Sequence, residues 1–258
     1  MRPKFLCSAI LVLLAACLFT SCQKELSVDD STGTPGNTNP PANGTSQELP
    51  KTITESMTVS GSKIYDETYN ISYDAQSRIT LMQSTSNAGN KFVYSYKASS
   101  YSITLYISNM LSNYGEYFLA ANKTIDSSLQ YNDSKDTTTE KYSYNAKGQI
   151  EKVLQYEYST AKGSVLYDIF LYTYDAKGNI TKEERSMSTT TYTYYDDLKT
   201  PFNFLVPYHT TNPNLPKTET NNGIAMTYKY TFDSKGRLVQ TEGTSNVGEM
   251  VEITKYTY

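Results

Sequence analysis

The sequence contains no Trp, a single His (His209) and only three Cys, all within the first 22 residues. Each scarcity closes off some chemistry. A tetrahedral zinc site draws several ligands from Cys and His, and the body of the chain cannot supply them. No metal and no cofactor are expected. The body also cannot form an internal disulfide. A Ser-His-Asp arrangement has only His209 to use, and neither a P-loop nor a dinucleotide fingerprint is present. No enzyme is expected. The formal charge is -3, so there is no basic field to hold a nucleic-acid backbone.

What the chain has in plenty is tyrosine, 25 residues of 258. Tyr and Thr favour pleated, half-buried strands. No stretch longer than one turn has helical periodicity.

The N-terminus reads as an address. Arg2 and Lys4 precede an apolar run over 5–18, too short to span a bilayer and fitting a secretory signal. The run ends in Leu18-Phe19-Thr20-Ser21-Cys22. Small residues before a Cys at this place resemble the bacterial lipoprotein lipobox, which implies cleavage before Cys22 and acylation of that residue. Two or more acyl chains give stable anchoring. Residues 1–21 are then the lipoprotein signal peptide, and 22–50 the lipidated Cys with a polar tether rich in Ser, Thr, Asn, Gly and Pro. This composition cannot bury enough apolar surface to offset chain entropy. As a flexible coil the tether spans roughly 30 Å.

Residues 51–258 read as one β domain with a recurring phrase. It occurs as Tyr73-Asp74-Ala75-Gln76-Ser77-Arg78-Ile79, Tyr144-Asn145-Ala146-Lys147-Gly148-Gln149-Ile150, Tyr174-Asp175-Ala176-Lys177-Gly178-Asn179-Ile180 and Phe232-Asp233-Ser234-Lys235-Gly236-Arg237-Leu238. Asp or Asn opens a type I turn, and Gly148, Gly178 and Gly236 take the left-handed conformation that makes a bulged hairpin. Ser77 stands in that place in the first copy. Around the turns the pattern alternates: Tyr228, Tyr230 and Phe232 share a face, against Thr227, Lys229 and Thr231. Ile150, Leu154, Tyr156 and Tyr158 are expected on one face, opposite Glu151, Gln155 and Glu157. Counting such runs gives on the order of fourteen to sixteen strands. The fold class is all-β, an antiparallel meander of hairpins forming one large curved or barrel-like sheet.

These phrases resemble the YD repeats of RHS-type bacterial surface proteins. Lipobox, polar tether and Tyr-rich hairpins together resemble small bacterial lipoproteins of unknown function whose sheets are porin-like. The resemblance implies an architecture and no activity. A membrane barrel needs an aliphatic outer band, and neither face here provides one, so the sheet is expected to be water-soluble and not a pore.

One segment, 195–209, breaks the alternation with Pro201 and Pro207 around Phe202, Phe204, Leu205 and Val206. Either these residues cap the sheet, or the segment forms a binding rim from Tyr195, Asp196, Tyr208 and His209. The function expected is that of a non-catalytic outer-membrane lipoprotein, periplasmic or surface-exposed. It is held to the membrane by its lipid and binds a glycan or a partner protein. A structural spacer and a carrier of an apolar ligand are the alternatives.

Overall fold

A computed structural model describes residues 48–132, 137–159, 163–200 and 212–258. The signal segment, Cys22, nearly all of the tether, and Phe202, Phe204, Leu205, Val206, Tyr208 and His209 lie outside the described residues.

The described chain forms sixteen strands and no helix. They are β1 (Thr52–Val59), β2 (Ser62–Tyr73), β3 (Ile79–Ser84), β4 (Lys91–Tyr96), β5 (Ser100–Ile107), β6 (Met110–Leu119), β7 (Ile125–Asn132) and β8 (Thr137–Tyr144). The second half holds β9 (Ile150–Ser159), β10 (Gly163–Tyr174), β11 (Ile180–Glu184), β12 (Thr189–Lys199), β13 (Asn214–Asn221), β14 (Ile224–Phe232), β15 (Leu238–Ser245) and β16 (Met250–Thr257). Each strand pairs with the next, and β1 pairs with β16, so the sheet closes into a barrel. Closure runs in antiparallel register from Thr52↔Thr257 to Val59↔Met250. It removes both sheet edges, which otherwise invite pairing with other chains.

The repeated phrases make the turns at one end of the barrel, here the proximal end. Gly148, Gly178 and Gly236 have φ of 76°, 92° and 75°, and Ser77 has φ 61°. Asp175 Oδ1 accepts the backbone N–H groups of Lys177 (2.9 Å) and Asn179 (2.8 Å). Asp74, Asn145 and Asp233 repeat that pair of bonds. A fifth turn of this shape follows β6, where Lys123 takes φ 66°. It lacks both the opening Asp and the Gly, and so escapes notice in the sequence.

At Gly178 an added Cβ would lie 3.1 Å from Gln149 Nε2, in a conformation L side chains rarely adopt. Gly178→Val is therefore expected to cost about 1 kcal/mol or more, read as a lower midpoint of denaturant unfolding.

Each of these turns is followed by a β-bulge that shifts the register by one residue. The shift flips the faces beyond it. In β9, Ile150 points inward beside Tyr144, and after the bulge Val153 pairs with inward Tyr142. Leu154, Tyr156 and Tyr158 therefore face outward, and Gln155 and Glu157 face the interior. This reverses the face expected for most of that strand.

The bulges also explain much of the tyrosine. Seven tyrosines, Tyr73, Tyr96, Tyr144, Tyr174, Tyr194, Tyr230 and Tyr258, each donate the hydroxyl to a backbone carbonyl of the preceding strand or its entry, at 2.6–2.9 Å. Most of the accepting carbonyls belong to the residue that opens a strand beside a bulge, such as Ile79, Ile150 and Leu238. There the regular ladder is interrupted and a carbonyl needs another donor.

The main core fills the proximal part of the interior. Ile53, Tyr69, Ile71, Ile79, Met82, Tyr94, Tyr101, Ile103, Tyr117 and Ile125 form one buried cluster. Ile150, Val153 and Phe170 form a second.

Candidate binding surfaces

Two stretches of wall stand out. The first is outside, on β6 to β10. The register lines up Leu129, Thr139, Tyr156 and Leu166 across β7 to β10, and beside them Tyr114, Tyr131, Thr137 and Tyr158 across β6 to β9. Tyr114 and Tyr131 stack with ring centroids 4.9 Å apart. Tyr158 is 56% exposed, and Leu166 and Leu171 nearly as much. Contiguous exposed apolar surface marks interaction sites more often than scattered residues do.

Elsewhere the outer wall is mostly polar. Outward positions include Thr52, Thr54, Ser56 and Thr58 on β1, Thr191 and Thr193 on β12, Thr227, Lys229 and Thr231 on β14, and Gln240, Glu242 and Thr244 on β15, with Val251 and Ile253 of β16 and the Leu81–Val93 pair of β3 and β4 as apolar interruptions.

The second stretch is inside, distal to the apolar core. Glu55, Glu67, Glu140, Glu183, Glu219 and Glu252 all occupy inward positions. Glu140 accepts from Ser128, Tyr142 and Gln155, and Glu183 holds Arg185 at 2.6 Å. Burial, and then the neighbouring Glu252, push the Glu55 carboxyl up to about 7. Burial raises Glu252 as well, with Glu219 adding to it. Burial raises Glu219 against the opposing bond from Tyr228, with Glu183 adding to the rise. These carboxylates were hidden in the sequence because a Glu alternating with Tyr or Thr reads as a wet outer position.

Of the four rim residues expected from the sequence, two are described. The Tyr195 ring packs edge-on against Tyr230 at 5.9 Å, and its hydroxyl donates to the Tyr228 carbonyl at 2.8 Å. Asp196 is exposed and pairs with Lys177 across the neighbouring turn. Tyr208 and His209 lie outside the described residues. No group of His, Cys, Asp and Glu suited to a metal ion occurs among the described residues.

The fold is that of a porin-like antiparallel β-barrel. A solved porin-like protein from Bacteroides uniformis superposes with a TM-score of 0.56 at 15% identity, covering 81% of this chain and 97% of its own. A porin-like protein from Bacteroides vulgatus superposes with a TM-score of 0.56 at 13% identity, covering 82% of this chain and 99% of its own. No family model and no curated protein matches the chain.

Proposed function

We propose that the chain is a non-catalytic lipoprotein of the bacterial outer membrane, whose barrel stands in water on a tether from acylated Cys22. Its outer face on β6 to β10 binds a glycan or a partner protein. The observation that carries this reading is the outer wall. Thr, Ser, Lys and Glu cover most of it, where a membrane barrel carries an aliphatic band some 25 Å tall. Against that polar wall the Tyr and Leu rows of β6 to β10 form a separate feature. Tyrosine rings flanked by Thr hydroxyls suit a sugar ring or a protein side chain, since a Tyr supplies an apolar face and a polar tip.

The chain enters the barrel at the proximal end, where Arg237 pairs with Glu48. A tether attached there leaves the flank of β6 to β10 facing sideways into solvent. The alternative reading, a carrier of an apolar ligand, would need a larger space than the one beside Gly115. A cavity beside Gly115, lined by Phe92, Ile103, Leu105 and Tyr117, holds about 30 Å³, enough for water and too small for a lipid.

The double variant Tyr156→Ala/Tyr158→Ala tests the surface. Both side chains point outward, so the fold should keep its midpoint, with changes near 0.5 kcal/mol. Binding to a glycan array or to envelope extract should fall tenfold or more. Unchanged binding by a correctly folded variant would remove this face from the function.

A further inference from the structure

The inner carboxylates are not explained by an outward binding face. We propose that this part of the interior wall binds a linear organic polycation, an alkyl polyamine, with Glu55 as its central anchor.

The argument starts from register. Glu55 on β1 lies directly opposite Glu67 on β2. Across the closure seam its direct partner on β16 is Thr254, and Glu252 is the diagonal neighbour. Directly opposed like charges destabilise a sheet, so with both carboxyls ionised this arrangement works against folding unless a cation offsets it. No salt bridge reaches Glu55, Glu67, Glu219 or Glu252 among the described residues. Glu67 is partly served by the hydroxyls of Ser84 (2.9 Å) and Ser86 (2.8 Å). Glu219 is served by Tyr228 at 3.2 Å. Glu55 accepts no hydrogen bond among the described residues, although only 9% of it is exposed. A buried carboxylate without a donor carries a desolvation penalty that a bound cation relieves.

The spacing selects the kind of cation. A metal ion needs its oxygen ligands within roughly 2.3–2.6 Å of one point, and no group of acidic residues among those described converges in that way. Glu67, Glu55 and Glu252 sit instead on three adjacent strands, β2, β1 and β16, at strand spacing, while Glu219 on β13 lies beyond β15 and β14. Such a row suits ammonium groups joined by propylene or butylene spacers, which place one charge near each acid in turn. The Tyr65 and Tyr69 hydroxyls hydrogen-bond to one another at 2.9 Å beside the row. Arg185, the cation held by Glu183, also lies over the Phe170 ring.

The test is calorimetric titration of the full chain in detergent micelles with spermidine at fixed ionic strength. Saturable binding is expected. Glu55→Gln and Glu252→Gln should each weaken it by about tenfold or more. Glu242→Gln, on the outer wall of β15, should leave it unchanged. Circular dichroism checks that each variant is folded, and Glu252→Gln alone decides the matter if Glu55→Gln fails to fold. The proposal is overturned by an absence of saturable binding, by equal affinity in the folded inner variants, or by equal loss with Glu242→Gln.

Discussion

Raising the pH from 4.5 to 7 is expected to destabilise the barrel by about 3 kcal/mol through Glu55 alone. Burial and the Glu252 charge lift the carboxyl from its ordinary 4.5 to about 7 in the folded state. The folded chain therefore holds a proton that the unfolded chain releases first. The stabilisation is complete below 4.5 and is lost as the pH climbs through 7. Glu252 and Glu219 are raised as well and act in the same direction. The turn carboxylates Asp74, Asp175 and Asp233 are lowered from 3.8, so they titrate below this window. Glu55→Gln removes the titration. In amine-free buffer it should be more stable than the unmodified chain above pH 7 and level with it near 4.5. Urea midpoints followed by circular dichroism at both pH values measure this. Parallel curves for the two proteins would show that Glu55 is not buried as described.

Tyr101→Ala is expected to cost about 3–5 kcal/mol. The residue is 1% exposed at the centre of the main core. Its ring stacks on Tyr117 with centroids 4.6 Å apart and planes within 5°. On the other side Tyr96 lies 6.3 Å away. Truncation removes these ring contacts and leaves a cavity that closed neighbouring strands cannot collapse to fill. Tyr101→Phe keeps the ring and its stacking and should cost far less than Tyr101→Ala. Tyr158→Ala, on the outer wall, should stay within about 0.5 kcal/mol. A small loss for Tyr101→Ala, equal to that of Tyr158→Ala, would mean that the interior is not packed around this ring.

Much of the architecture was legible from residue order. Phrases such as Tyr174-Asp175-Ala176-Lys177-Gly178 carry their own turn chemistry within a few residues, so local reasoning reaches them. The strand count followed from period-two alternation. Three things lay beyond local reasoning. The pairing of β1 with β16 joins the two ends of the body, and neither strand carries a mark of its partner. The bulge after each turn inserts one residue, and this turned Leu154, Tyr156 and Tyr158 outward against the simple alternation. The turn at Lys123 was missed because neither Gly nor Asp marks it. The site was less legible than the fold. In the rim alternative Tyr195 supplies stacking surface, and its contact with Tyr230 comes from a strand distant in sequence. Glu55 and Glu252 were passed over because only closure of the barrel puts them on one inner wall.

The proposed function requires the outer wall of this barrel to face water. Ser56, Thr191 and Thr227 are outward positions on three different strands. Ser56→Cys, Thr191→Cys and Thr227→Cys can each be labelled with a charged, membrane-impermeant maleimide in the lipid-anchored chain reconstituted in vesicles. The native cysteines do not interfere, because Cys7 and Cys17 fall within the proposed signal and Cys22 is the proposed acylation site. All three positions should react as fast as a cysteine placed in the Ser60-Gly61 turn. Protection of all three, with the turn position still reactive, would place the wall in hydrocarbon and contradict the account.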